Sequence, residues 1–296
     1  MSNVKAYMGV ARVPFLTLPV VLVAAGTAAA AYEGHFNWFH TLLALIGLTL
    51  LHIAVNVINE VSDARTGIDY NTTPTPFSGG SKTIPSGAIS RKNAFIFGLT
   101  CAALGLVTGL WFLFRIGTVL LPVIVLGGIS VLLYSDVLVK AGIGELAAGL
   151  GLGGLAVFGA ALVQDGTVGT ASIAAAIPAT FMTFNLLLLN EFPDEKVDKE
   201  GGRRHLVIAF GRPAAAMIYA IAALLTPISI LIAVILNHLP VIALAGMLPS
   251  LLLVQPLKWA FGDTAADVPI PALASNVQWI LGTNLLLAIT LVIASF

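Results

Sequence analysis

Long apolar runs alternate with short polar connections along nearly the whole chain, and this alternation predicts helices that cross a membrane. Runs of spanning length lie at about 13–32, 38–58, 93–114, 116–134, 141–163, 169–189, 213–236, 239–256 and 275–296. Each approaches the roughly 20 apolar residues that a bilayer core asks of an α-helix. They predict an all-α membrane protein of about nine transmembrane helices around a central cavity, folded as one polytopic domain over residues 1–296. Pro122, Pro178, Pro227 and Pro249 fall inside runs; membrane helices tolerate this because neighbouring groups re-satisfy the freed backbone. The first run follows Lys5 and Arg12 and ends in alanine-rich sequence that resembles a cleavage site. At about 19 residues it exceeds the 7–15 of a signal-peptide core, so it is read as the first membrane helix.

Composition strengthens the membrane reading. The chain is 58% hydrophobic and only 9% charged, with a mean hydropathy of +0.99. A soluble domain carries roughly 25% charged residues, so this chain cannot cover a water-facing surface. The formal charge is zero, and nothing in the balance suggests nucleic acid. Cys101 is the single cysteine and lies in an apolar run, which leaves it a packing role. Charge placement is more informative than charge total. When alternate connections are assigned to opposite sides, Arg115 falls on one side and the other thirteen of the 14 basic residues on the other. Cytoplasmic loops are enriched in Lys and Arg, so the N-terminus and the crowded loops are expected in the cytoplasm and the C-terminus outside.

Two cytoplasmic connections, at about 59–92 and 190–212, are long and polar; loops of that length are usually functional or disordered. They follow the second and sixth helices, so both halves have the same orientation. The pattern predicts a parallel repeat of helices one to four and five to eight about an axis along the membrane normal, plus a final helix. The two polar loops would then face each other over one cavity.

The first loop opens Asn59-Glu60-Val61-Ser62-Asp63 and continues to Asp69; the second opens Asn190-Glu191-Phe192-Pro193-Asp194 and continues to Asp198. Side chains four apart share a helix face. Asn59 with Asp63, and Asn190 with Asp194 and Asp198, therefore form two oxygen-rich patches. Pro193 suits the first turn of a new helical segment. Carboxylates gathered beside hydrocarbon repel one another and are costly, so a cation is expected. Magnesium takes hard oxygen ligands from one or two carboxylates and from substrate phosphates. Zinc is disfavoured, since no Cys or His stands near either motif at ligand spacing except His205. Arg65, Lys82, Lys140, Lys199, Arg203 and Arg204 lie beside the motifs and fit a phosphate ligand, although the positive-inside rule also accounts for them. For Arg91, Lys92, Arg212 and Lys258 that rule alone suffices. Gly79-Gly80-Ser81-Lys82-Thr83 lacks the residue order and preceding strand of a P-loop. It reads instead as a turn that brings backbone donors and Lys82 towards a diphosphate.

These paired motifs after the second and sixth helices resemble the UbiA superfamily of intramembrane prenyltransferases. Gly67, Asp69, Gly79-Gly80-Ser81-Lys82, Pro85-Ser86-Gly87, Ala141-Gly142-Ile143-Gly144-Glu145 and Gly202-Arg203-Arg204-His205-Leu206 look like the menaquinone-type, MenA-like branch, the dihydroxynaphthoate prenyltransferases. The likeness covers roughly residues 8 to 215. It implies nine helices around a central cavity. Asp63, Asp69, Asp194 and Asp198 would hold two Mg2+ ions that grip a prenyl diphosphate, supported by Asn59 and Asn190. Arg204 and Lys140 would meet the phosphate oxygens. The chain departs from the family at Ser135-Asp136-Val137-Leu138-Val139 and at His205, which leaves the acceptor open.

The expected reaction is Mg-dependent transfer of a polyprenyl group from an allylic diphosphate to an aromatic acceptor, 1,4-dihydroxy-2-naphthoate first among them. The alternatives are 4-hydroxybenzoate, homogentisate, tetrapyrrole or glycerol-ether lipid acceptors, or terpene cyclisation. A membrane-dissolved isoprenoid tail would explain the membrane location. Glu60, Glu145, Glu191 and Tyr134 are candidate proton acceptors or acceptor-binding groups; Glu145 is equally a helix-end residue facing a polar cavity. His52 and Asn56 lie on the turns before the first motif, where His52 suits an interhelical contact. A secondary transporter is the rival from another class, disfavoured because the acidic residues gather at the helix mouths instead of the midplane.

Overall fold

A chain this apolar has to satisfy its backbone hydrogen bonds inside each segment, and the computed structural model, described for residues 3–262 and 270–296, is helical with no strand among those residues. A helix at Asn3–Val10 precedes nine apolar helices. In chain order these are α1 (Val13–Tyr32), α2 (Trp38–Thr66), α3 (Arg91–Ile116), α4 (Thr118–Leu132), α5 (Gly144–Leu162), α6 (Thr170–Glu200), α7 (Arg212–Ile235), α8 (Val241–Ala260) and α9 (Ile270–Ala294). Eight of them are long and apolar enough to cross a bilayer, and α4 is shorter. A π-helical turn at Tyr134–Leu138 follows α4.

Both motif-bearing helices run past the bounds expected from hydropathy. α2 continues to Thr66 and α6 to Glu200, so the Asn-x-x-x-Asp motifs sit on terminal helical turns and do not open loops. Apolar character stops where the motifs begin, but the hydrogen-bond ladder does not. Pro193 likewise lies inside α6 and starts no new segment; its missing N–H drops one rung of the ladder. Local signals fix other ends. The Asn37 side chain accepts from His40 N at 3.1 Å to cap α2, and Ser90 Oγ accepts from Asn93 N at 3.1 Å to cap α3. Gly67, at φ +88°, closes α2 in the left-handed conformation that favours glycine.

α2 packs against α3, and α6 packs against α7, so each motif helix is followed by a polar connection and a returning helix. α9 closes the bundle against α1, α6 and α8. The middle of α5 is π-wound over Ala148–Gly154 and lies directly on α6. A Cβ at Gly153 would stand 2.6 Å from the Ala179 carbonyl, so only glycine permits this approach. Trp279, Tyr219 and Phe192 fill the interior, while Phe114 and Trp38 project outward from the ends of their helices. Between α6, α7 and α9, Tyr219 OH donates to Asn276 Oδ1 at 2.8 Å and Asn185 Nδ2 donates to the Tyr219 carbonyl at 3.0 Å. Such intramembrane hydrogen bonds contribute about 0.6 kcal/mol each.

Candidate active site

The two motifs meet. α2 delivers Asn59 and Asp63 from its last turns, and the Gly67 turn swings the chain into the short helix Ile68–Asn71, which buries Asp69. α6 delivers Asn190, Asp194 and Asp198 along one face. All six line a single cavity of about 180 Å³ at the motif-bearing end of the bundle, together with Arg12, Tyr134, Glu191 and Arg203. Its deeper wall is apolar, with Val55, Leu152, Leu186 and Leu187. A larger cavity of about 360 Å³ among α1 to α5 has Thr108 as its one polar side chain and offers hydrocarbon contact without chemistry.

Arg203 ties the motifs together. Its guanidinium pairs with Asp63, donates to Asn59 Oδ1 at 3.1 Å and stands 3.6 Å from Asp198 Oδ1. Asn59 Nδ2 in turn donates to Asp63 Oδ2 at 2.9 Å. Burial works to lower the pKa of Arg203, but the Asp63 and Asp198 carboxylates outweigh it and raise it, so the guanidinium is a permanent cation.

A second ion pair buttresses the loop over the cavity. Arg12 Nε donates to Glu60 Oε1 at 2.7 Å, and the fully buried Glu60 also accepts from Ser81 N at 2.9 Å and Ser81 Oγ at 2.6 Å. This holds Gly79 and Gly80 at the cavity wall, where Gly79 N donates to Asp194 Oδ2 at 3.1 Å. Gly80 has φ +74°, and a Cβ there would collide with the Asp69 carboxylate. Asp69 is 1% exposed and its Oδ2 has no protein partner. Burial, then Glu60 and Asp63, pushes its pKa up to about 8. Asn190 Oδ1 is also buried and unpartnered. Hard oxygen donors left unsatisfied around one polar cavity are what a magnesium-class cation binds, so the residues present fit such an ion.

Seven expected residues do not line this cavity: Glu60, which braces the loop, the exposed Lys199, and Arg65, Lys82, Lys140, Arg204 and Glu145. Arg65 pairs with Asp136, and Lys140 Nζ lies 3.7 Å from the same carboxylate, so both basic groups are held at an exposed edge. Asp136, which holds both, belongs to the segment 135–139. Lys82 Nζ is taken up by the loop itself, donating to the Thr72 carbonyl at 2.6 Å and to Thr72 Oγ1 at 2.8 Å. Arg204 is exposed while Arg203 points inward; successive residues of an extended segment face opposite ways. Glu145 is buried outside the cavity lining, with Oε1 accepting from Leu206 N at 2.6 Å. Tyr134 and His52 do line the cavity. Arg12 was not expected in the cavity. Its sequence signal is only a basic residue beside an apolar run, which the positive-inside rule explains equally well.

A helical membrane chamber with carboxylates, amides and guanidinium groups at one mouth and hydrocarbon walls behind them is built for a substrate with a charged head and an apolar body. The chain belongs to the UbiA prenyltransferase family, whose model matches residues 18–294. It is an integral membrane enzyme that transfers prenyl groups, which sets the transporter reading aside. It is 27% identical over 297 residues to the 1,4-dihydroxy-2-naphthoate octaprenyltransferase of Escherichia coli K12, covering 96% of this chain and 94% of that one. It is 28% identical over 233 residues to the enzyme of the same name from Mycobacterium tuberculosis, covering 76% and 78%. Its fold matches a UbiA homologue from Archaeoglobus fulgidus solved with GPP and Mg2+, with a TM-score of 0.69 at 16% identity over 97% of this chain and 99% of that one.

Proposed function

We propose that this protein transfers a polyprenyl group from an allylic prenyl diphosphate to 1,4-dihydroxy-2-naphthoate, with Mg2+ at the paired aspartate motifs. The observation that carries the reading is the convergence of Asp63, Asp69, Asp194 and Asp198 with Asn59 and Asn190 on one cavity that also holds Arg203. The similarity to dihydroxynaphthoate octaprenyltransferases over nearly the full chain supports the acceptor. The GPP and Mg2+ held by the Archaeoglobus homologue support the donor and the ion.

Asp63, Asp69, Asp194 and Asp198 would hold two ions, with Asn59 and Asn190 as neutral oxygen ligands. Bound there, Mg2+ supplies Lewis-acid neutralisation of the diphosphate oxygens. Arg203 and Arg12 face the same space and add fixed positive charge where negative charge develops on the leaving group, which lowers the barrier to ionisation. As the allylic C–O bond breaks and diphosphate leaves, an electron-rich carbon of the acceptor attacks the allylic cation, and the ring regains aromaticity by losing a proton or, at the carboxyl-bearing carbon, CO2. The apolar wall around Leu152, Leu186 and Leu187 keeps water from that cation. The isoprenoid tail has a path to lipid: a cavity of about 70 Å³ between α1 and α9, bounded by Val277, Ile280 and Leu281, shares Phe15, Leu18, Phe77 and Leu186 with the polar one. Thirteen of the 14 basic residues assigned to one side support a cytoplasmic position for this mouth.

The test is transfer from a radiolabelled allylic prenyl diphosphate to 1,4-dihydroxy-2-naphthoate by purified protein, with and without Mg2+. A magnesium-dependent prenylated naphthoquinone precursor is the expected product. Diphosphate release without that product, rescued by 4-hydroxybenzoate, homogentisate or a glycerol-ether lipid, would reassign the acceptor.

A further inference from the structure

Next to the cavity, with Glu191 in its wall and Glu145 and His205 beyond it, lies a second cluster of ionisable groups that the prenyl-transfer reading does not use. Glu145, from the first turn of α5, Glu191, from α6, and His205, from the segment after Arg203, each offer a ligand atom, and these atoms lie within 4.8 Å of one another. The three residues are 1%, 5% and 1% exposed. Glu145 Oε2, Glu191 Oε2 and both ring nitrogens of His205 lack a hydrogen-bond partner. Unpaired buried charge is expensive, and one atom from each of the three residues, gathered at one point, calls for a ligand between them.

We propose that Glu145, Glu191 and His205 form a divalent transition-metal site of the zinc class, separate from the magnesium site. The donor set is two carboxylates and one imidazole. Three protein ligands of this kind suit a tetrahedral ion with water or another group as the fourth ligand. The charges close, since two carboxylates balance one divalent cation and the imidazole stays neutral. The surroundings of the imidazole agree. Nδ1 stands 3.9 Å from Glu191 Oε2, on the cluster side, while Nε2 stands 3.4 Å from Asp198 Oδ2. A ligating histidine characteristically turns its other nitrogen to a carboxylate, which fixes ring and tautomer, and Asp198 occupies that position. The ion would pin three elements: α5 through Glu145, α6 through Glu191, and the segment that presents Arg203. It would act as a clasp that holds Arg203 and Asp198 in place without touching substrate. The histidine at 205, one of the chain's departures from its family's pattern, would supply the nitrogen ligand.

The experiment is Co2+ titration of the purified, EDTA-treated full-length protein in detergent and excess Mg2+, read by the visible d–d absorption of four-coordinate cobalt. The expected result is saturation near one equivalent per chain, reversed by Zn2+. The signal should be lost in both His205→Gln and Glu145→Gln. In Glu145→Gln the amide oxygen would still accept from Leu206 N, so the helix start is preserved, and an unchanged size-exclusion profile confirms a folded chain. Asp63→Asn should retain the signal. No cobalt absorption in the wild type would overturn the proposal. A signal lost in Asp63→Asn but kept in His205→Gln would overturn it as well, because the ion would then sit at the diphosphate motifs. Prenyl transfer is read separately, so neither result bears on the donor or the acceptor.

Discussion

Asp69 concentrates the electrostatic strain of the site in one carboxyl group. Its pKa of about 8 in the metal-free fold lies above its ordinary value of 3.8. A carboxyl raised in this way favours folding while protonated, below its unfolded pKa, and loses that contribution as pH rises through the folded value. In EDTA, the stability of wild type relative to Asp69→Asn should therefore fall between about pH 4 and 8, and Mg2+ at pH 8 should restore it. A difference in thermal midpoint that ignores pH would contradict this account. Asp63→Asn and Asp194→Asn should each reduce turnover by about 10²–10³, roughly 2.7–4 kcal/mol of transition-state stabilisation, with an unchanged detergent elution profile. Arg203→Gln should fall with them, whereas Arg204→Gln should stay near wild type; the reverse order would return the phosphate contact to Arg204. The sequence made the aspartates legible because two motifs repeat them. It could not choose between adjacent arginines, since that choice depends on which way an extended segment faces. Nor could it show that Asp136 captures Arg65 from across the fold.

At the scale of elements, the loop after Asp69 carries as much of the site as the helices do. Gly80 and Gly87 share a φ of +74° but have different surroundings. A Cβ at Gly87 meets nothing within 4 Å, whereas one at Gly80 collides with Asp69. Gly87→Ala should cost about 1–2 kcal/mol of stability for its left-handed backbone and leave prenyl transfer intact. Gly80→Ala should add a loss of turnover of about tenfold or more, since even 1.4 kcal/mol at the transition state has that effect. Equal activity in the two variants would remove the loop from the site. This distinction could not be read from composition, because both glycines look like turn residues in sequence. Helix number and order were legible, as each run had to find roughly 20 apolar residues. Helix ends were not, because α2 and α6 carry their hydrogen bonds several residues beyond the point where side chains turn polar.

For the whole molecule, orientation turns on α4, the helix too short to count as a span. At about 1.5 Å rise per residue, its 15 or so residues reach only about 22 Å of a hydrocarbon core near 30 Å. Its two ends nevertheless lie at opposite faces of the bundle. Before it, Ile116 packs beside Gly166 of the α5–α6 connection, and Asp165 of that connection pairs with His35 of the α1–α2 turn at 2.8 Å, away from the motifs. After it, Tyr134 enters the motif cavity and Ser135 Oγ donates to Asn59 Oδ1 at 3.2 Å. The π-turn at Tyr134–Leu138 thus completes a crossing that α4 begins. With α4 counted as a crossing, the nine helices of the described residues would put the termini on opposite sides, and the proposed cytoplasmic mouth would put the N-terminus inside. A fluorescent protein fused before Met1 should therefore glow, and a periplasmic phosphatase fused after Phe296 should be active, in the same bacterial host. An inactive C-terminal phosphatase with a fluorescent C-terminal fusion would place both ends inside. In that case α4 would be re-entrant, and the parallel relation of the two halves, which brings both aspartate motifs to one mouth, would need another origin.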